Sequence, residues 1–191
     1  APTAKRYTIT DKSKAGPDFA IQGEYVGQVI RRGLEMRVGL QVIALGKAQF
    51  RGVIHWGGLP GAGWDGEEKD LVTGKRNGKL TVLRGGERSW SISAGQAVVQ
   101  DAAGKVVGNL IRMQRVSPTM GARPTANAVV LFAGSNADQF QGGRLTPDKL
   151  LQVGTITKMK VNDFRLHLEF RTPYMPNARG QGRGNSGVYI Q

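Results

Sequence analysis

Asp163-Phe-Arg-Leu-His-Leu-Glu-Phe-Arg171 alternates without a break. Phe164, Leu166, Leu168 and Phe170 fall on one side of an extended backbone, and Arg165, His167, Glu169 and Arg171 on the other. The pattern is that of a half-buried strand. Its polar face carries a cation, an imidazole, a carboxylate and a second cation in a row, which a solvated sheet face explains as readily as a site does. Downstream, Gly182-Arg-Gly-Asn-Ser-Gly-Val-Tyr-Ile-Gln191 sets an amide and a hydroxyl between glycines at the entry to another apolar stretch, Val188 to Ile190. The sequence then stops in what reads as mid-strand, so residues 129–191 are expected to form only the first part of a sandwich. Its open edge would be covered by a missing C-terminal remainder or by another chain.

Upstream, the chain reads as all-β. Twenty-eight glycines and the lack of long amphipathic helical patterns favour many short strands joined by turns. Residues 1–17, polar and broken at Gly16-Pro17, read as a flexible leader. Residues 18–116 contain eight β segments: 19–30, 34–45, 49–56, 69–73, 79–83, 89–93, 96–100 and 106–116. Turn signals at Gly46-Lys47, Asn77-Gly78, Gly85-Gly86, Ala94-Gly95 and Ala103-Gly104 separate them. Such spacing predicts an antiparallel meander closing into a small barrel or a sandwich. Trp56-Gly-Gly-Leu-Pro-Gly-Ala-Gly-Trp-Asp-Gly66 interrupts it, either as a sugar contact through its indoles or as a wide connection whose tryptophans cap the barrel end. Residues 117–128, with Pro118 and Pro124, read as a stiff linker.

The composition narrows the function classes. With no cysteine, there is no disulfide, thiol nucleophile or thiolate metal site. No apolar run is long enough for a transmembrane helix. The sequence begins at Ala-Pro-Thr-Ala, as cleavage of a signal peptide would leave it, so an exported, mature chain is expected, periplasmic or extracellular. The net charge of +13 would suit an anionic polymer or an acidic partner. Its cations are scattered in ones and twos, without a basic run or a recognisable nucleic-acid motif, which argues against nucleic acid.

Three stretches carry a resemblance. Val130-Leu-Phe-Ala-Gly-Ser-Asn-Ala-Asp-Gln-Phe140 is similar to the opening of the 3-keto-disaccharide hydrolase domain family. Asp163 to Arg171 is similar to that family's Asp-Phe-x-Leu-x-x-Glu-Phe strand, and Gly184-Asn-Ser-Gly-Val-Tyr189 to its Gly-Asn-Ser-Gly motif. The resemblance covers residues 129–191. It departs at Phe140, where the family usually has Trp, and in lacking the family's later strands. It implies a partial concanavalin A-like jelly roll after the barrel. The whole resembles exported proteins of planctomycete-type bacteria.

By resemblance, the reaction cleaves a glycosidic bond in a sugar oxidised at C3. The ketone acidifies the C2 proton, so a base, an enolate-stabilising group and an acid for the leaving oxygen suffice. Glu169 is the candidate base or sugar ligand. Arg171, two residues on, would favour the ionised carboxylate or bind the ketone oxygen. His167 reads as an acid–base group or as an exposed sheet residue. Asn185 and Ser186 read as sugar hydrogen-bonding groups or as a turn. The loop from Thr172 to Gly184 offers Arg179 and Arg183 as sugar ligands and Tyr174 as a stacking surface. His55, beside the tryptophan loop, reads as structural. The resemblance allows a divalent metal, but no ligand cluster stands out in the sequence. The concanavalin A-like fold also serves lectins, so a non-catalytic carbohydrate-binding or scaffold module is the alternative.

Overall fold

The computed structural model describes residues 8–190. They divide into two compact units. The first comprises the chain up to Arg115 together with Thr172–Asn185, and the second comprises Val116–Arg171 with the segment from Ser186.

In the first unit, eight strands form: β1 (Gly23–Arg31), β2 (Leu34–Gly46), β3 (Gln49–Trp56), β4 (Lys69–Asn77), β5 (Leu80–Gly85), β6 (Arg88–Ser93), β7 (Gln96–Gln100) and β8 (Val106–Met113). Each pairs antiparallel with the next, and β8 returns to pair with β1, closing the barrel. Three connections are two-residue turns with both central φ angles positive: Arg32-Gly33 (52° and 78°), Lys47-Ala48 (53° and 57°) and Ala94-Gly95 (48° and 78°). Turns of this hand match the right-handed twist of the strands they join.

The burial alternation on each strand turns one side chain in two inward. Leu40, Val42, Phe50, Leu83, Trp90 and Val99 are among those filling the interior. An eight-stranded barrel is just wide enough to be packed in this way. Closure also leaves β1 no free edge in the range it shares with β2 and β8.

One barrel end is plugged. Residues 19–21 were expected to open the first strand, but Pro17–Ile21 is a short helix, α1. Pro17 sits at its first turn, where its fixed φ suits a helix and its missing N–H costs nothing. Phe19 and Ile21 pack against the core, and the Tyr25 hydroxyl donates to the Ile21 carbonyl at 2.8 Å. Asp18 accepts from the Ala48 N–H and pairs with Arg76 at 2.8 Å, tying the helix to the β2–β3 and β4–β5 hairpins. Of the expected leader, residues 1–7 lie outside the described residues. Ile9 pairs with Tyr174 through two backbone hydrogen bonds, and Ala15 is buried in the core cluster.

The second unit carries only two short strands, β9 (Phe140–Gln141) and β10 (Ile156–Thr157), paired with each other, and a bridge between Leu145 and Leu151. Thr146-Pro147-Asp148 forms a turn, with the Lys149 N–H donating to the Thr146 carbonyl. Thr146 Oγ1 donates to Asp148 at 2.6 Å and accepts from the Leu150 N–H at 2.9 Å. Among the described residues, Asp163–Arg171 joins no ladder. Phe164, Leu166, Leu168 and Phe170 are 43–65% exposed rather than buried. A strand needs a neighbour for its backbone groups and an apolar surface for one face, and two two-residue strands provide neither. No helix among the described residues is long and apolar enough to cross a membrane.

Candidate functional site

The polar row at 163–171 survives in part. His167 and Glu169, two apart, still meet: His167 Nε2 lies 3.4 Å from Glu169 Oε1. The same carboxylate oxygen accepts the Gly121 N–H. Arg171 does not reach Glu169. It pairs with Asp148, whose carboxyl is held below the usual carboxylate range by the Thr146 hydroxyl and then by Arg171 itself. The expected guanidinium–carboxylate pair on the strand is therefore replaced by one to the preceding turn. Glu169 and His167 stand together, half-exposed, with a backbone donor fixing the carboxylate.

The loop residues expected to bind sugar are engaged in the first unit. Tyr174 is buried, and its ring lies 5.0 Å from that of Phe19 in an edge-to-face contact. Burial pushes its hydroxyl up to about 12. Arg183 donates to the Ala44 carbonyl at 2.9 Å and to Gln22 Oε1 at 3.0 Å. Arg179 donates to the Leu45 carbonyl at 2.8 Å and to the carbonyls of Pro176 and Ala178. The β2–β3 register shifts between Ala44 and Gly46, and such an irregularity disrupts the ladder locally. The two arginines supply donors to carbonyls at that place, and so fasten 172–185 to the end of β2. Asn185 donates to the carbonyl and side chain of Gln181, closing the turn at Gly180–Gly182. Ser186, in the second unit, is exposed.

The tryptophan loop behaves partly as expected of a structural connection. Trp56 is buried at the barrel end opposite the plug, and its Nε1–H donates to Asp70 at 2.9 Å. The loop after it folds back over the outside of the barrel rather than across its end. Leu59 is buried beside Gly39, where a Cβ would come within 2.8 Å of the Gly58 backbone, so only glycine lets the loop approach this closely. Trp64 lies edge-on to His55 at 4.6 Å.

Beneath it runs a hydrogen-bonded chain that pattern reading of single strands did not find, because its members face outward on β1, β2 and β3. Arg115 forks onto Glu24, and Gln41 Nε2 donates to Glu24 at 2.9 Å. A carboxylate only accepts, so this bond fixes the Gln41 amide and turns its oxygen to His55 Nε2, 3.0 Å away. Nε2 therefore carries the proton, and the buried Nδ1 has a bare lone pair with no partner. Burial, reinforced by Lys69, pulls the imidazole below the ordinary histidine value, whereas Arg115 holds Glu24 below the usual carboxylate range against the effect of burial.

Both shifts make the unfolded chain bind more protons, so stability is full at neutral pH and falls with acidification. The His55 contribution begins to be lost below about pH 6.5 and that of Glu24 below about pH 4.5. In His55→Gln, an amide N–H can replace Nε2–H without titrating. Denaturation midpoints measured from pH 7 to 5 are expected to fall in the native chain and to stay nearly level in this variant. Parallel profiles would remove His55 as the cause.

Among the described residues, no three His, Asp or Glu side chains gather as a metal site would require. Comparison with family models, with curated proteins and with solved structures finds no match.

Proposed function

We propose that this chain belongs to an exported, carbohydrate-active protein of the 3-keto-glycoside hydrolase type. In this reading the closed barrel is a non-catalytic module, and residues 129–190 contribute strands to a concanavalin A-like sandwich. The observation that carries the reading is the alternating segment at 163–171. Its apolar row Phe164, Leu166, Leu168 and Phe170 is exposed and unpaired, as expected of a strand whose sheet is supplied by further polypeptide, and its other row carries His167 beside Glu169. The stretches at 130–140 and 184–189 support the same reading through their resemblance to that family.

The chemistry follows from these groups. Glu169 takes the C2 proton, made acidic by the C3 ketone, and the C–H electron pair moves into the enolate. Collapse of the enolate restores the ketone, forms the C1–C2 double bond and expels the C1 oxygen, which leaves with a proton from an acid such as His167. Water then adds at C1, and C2 takes a proton. A fixed backbone donor, here the Gly121 N–H on Glu169, holds the base in place. Once that further polypeptide completes the sandwich, a 3-keto-disaccharide is expected to be cleaved and its unoxidised parent left intact. Cleavage of both at one rate, or of neither by the completed protein, would overturn the reading.

A further inference from the structure

The outer face of β3 to β6 carries charge of one sign only. Burial alternates along these strands, with Phe50, Val72, Leu83 and Trp90 turned inward, so Arg51, Thr73, Arg84 and Ser89 face out. The register sets these four side by side: Arg51 pairs with Thr73, Thr73 with Arg84, and Arg84 with Ser89. One row further along, Lys75 pairs with Gln49 and with Val82. Arg51, Thr73, Lys75 and Arg84 are all exposed. Neighbouring strands lie about 4.8 Å apart, and residues two apart along a strand about 7 Å. The Cα atoms of the three cations therefore stand about 8 to 10 Å from one another around Thr73.

No carboxylate answers them. Asp70 is the single acidic residue in the four strands, and it stands opposite Ile54 on the inward alternation, where it accepts from Trp56. Three other arginines of this unit are matched: Arg31 by Glu68, Arg76 by Asp18 and Arg115 by Glu24. Among the described residues, no ion pair includes Arg51, Lys75 or Arg84. Positive charge builds up further at the Arg51 end. Burial, then the neighbouring Arg179 and Arg51, hold Arg183 below the ordinary guanidinium value. Like charges gathered in this way repel, and an anion laid among them relieves the repulsion.

We propose that this face binds an acidic polysaccharide, a chain of uronic acid units laid across β3, β4 and β5. Its carboxylates are taken by the guanidinium forks of Arg51 and Arg84 and by the Lys75 ammonium. Its hydroxyls are taken by Thr73 and Ser89, which can both donate and accept. The spacing separates this partner from other polyanions. Duplex DNA carries a phosphate about every 3.4 Å along each strand, far denser than these cations. Single-stranded nucleic acid is held by stacking on aromatic side chains, and Phe50, Trp56 and Trp90 of these strands are buried. A protein partner calls for an apolar centre with charge at its rim, whereas here the cations surround a threonine. The face lies wholly in the first unit and does not depend on the sugar chemistry proposed for the second.

The test is titration of the whole chain with an oligogalacturonate at low, fixed ionic strength, beside the same oligosaccharide with its carboxyls methyl-esterified. Saturable binding of the acid and none of the ester is expected, weakening as salt is raised. Arg51→Gln and Arg84→Gln are each expected to weaken it about fivefold, the worth of one exposed charge pair, and the two together about 25-fold. Lys105→Gln removes the same charge next to β8, four strands round the barrel from β4, and should cost less than about twofold. All three side chains are exposed, so the variants should melt with the native chain, which a thermal scan checks. The proposal fails if the acid does not bind, if the ester binds as well, or if Lys105→Gln costs as much as Arg84→Gln. It also fails if a single-stranded oligonucleotide or an acidic peptide of equal charge binds more tightly.

Discussion

Glu169→Gln is expected to slow cleavage of a 3-keto-disaccharide by about 10² to 10⁴-fold, the usual worth of a positioned general base. Glutamine keeps the shape of the side chain and an oxygen for the Gly121 N–H, but it cannot take a proton. The loss should therefore fall on turnover rather than on substrate binding. It should also leave the melting temperature in place, because the side chain is partly exposed and substitutions at such positions usually change stability by no more than about 0.5 kcal/mol. His167→Ala should cost less, since a water can replace an acid for the leaving oxygen more easily than the base at C2. Steady-state kinetics on the native protein and both variants decide the matter. Undiminished turnover in Glu169→Gln would remove Glu169 as the base.

The largest expected effect on stability is at the seam that closes the barrel. Gly27 on β1 pairs with Leu110 on β8. A Cβ at Gly27 would stand 2.0 Å from the Asn109 carbonyl oxygen and 2.8 Å from the Leu110 Cα. Gly108, across the same seam, would meet the Gln28 carbonyl oxygen at 2.3 Å. These are backbone atoms of the ladder itself, so relief requires β1 and β8 to separate, and separation would expose two strand edges. Gly27→Ala is expected to destabilise the barrel by about 3 kcal/mol or more, at or beyond the upper end of ordinary overpacking. Gly187→Ala, with open space around its Cβ, should change stability by less than about 0.5 kcal/mol. Denaturant midpoints of the two variants give the comparison. A Gly27→Ala protein as stable as the native one would mean that the seam is looser than its geometry implies.

These positions show what a sequence reveals and what it hides. The eight strands were legible because each has a period-two pattern bounded by turn residues, and both signals are local. Ala94-Gly95 is an example, where the expected turn and the observed one coincide. The helix at Pro17–Ile21 was missed because its apolar residues are too few to show a period, although Gly16-Pro17 marked its start. Tyr174, Arg179 and Arg183 look like the contents of a binding loop. Tyr174 instead packs on Phe19 and pairs with Ile9, and the arginines' use in fastening 172–185 depends on the β2 irregularity, some 130 residues away in the chain. The segment at 163–171 shows the converse. Its alternation states that it suits a sheet, but period alone does not supply the neighbour, and its apolar row is exposed. The unpartnered Nδ1 of His55 was invisible for a further reason. Whether a polar atom lacks a partner is a property of the space around it.

Cleavage of a 3-keto-disaccharide in D₂O, with the C2 position of the product read by NMR during the first turnovers, tests the proposed function most directly. Proton removal followed by hydration should place one solvent deuterium at C2, at a rate that Glu169→Gln lowers as it lowers turnover. Cleavage that keeps the original C2 proton would contradict it.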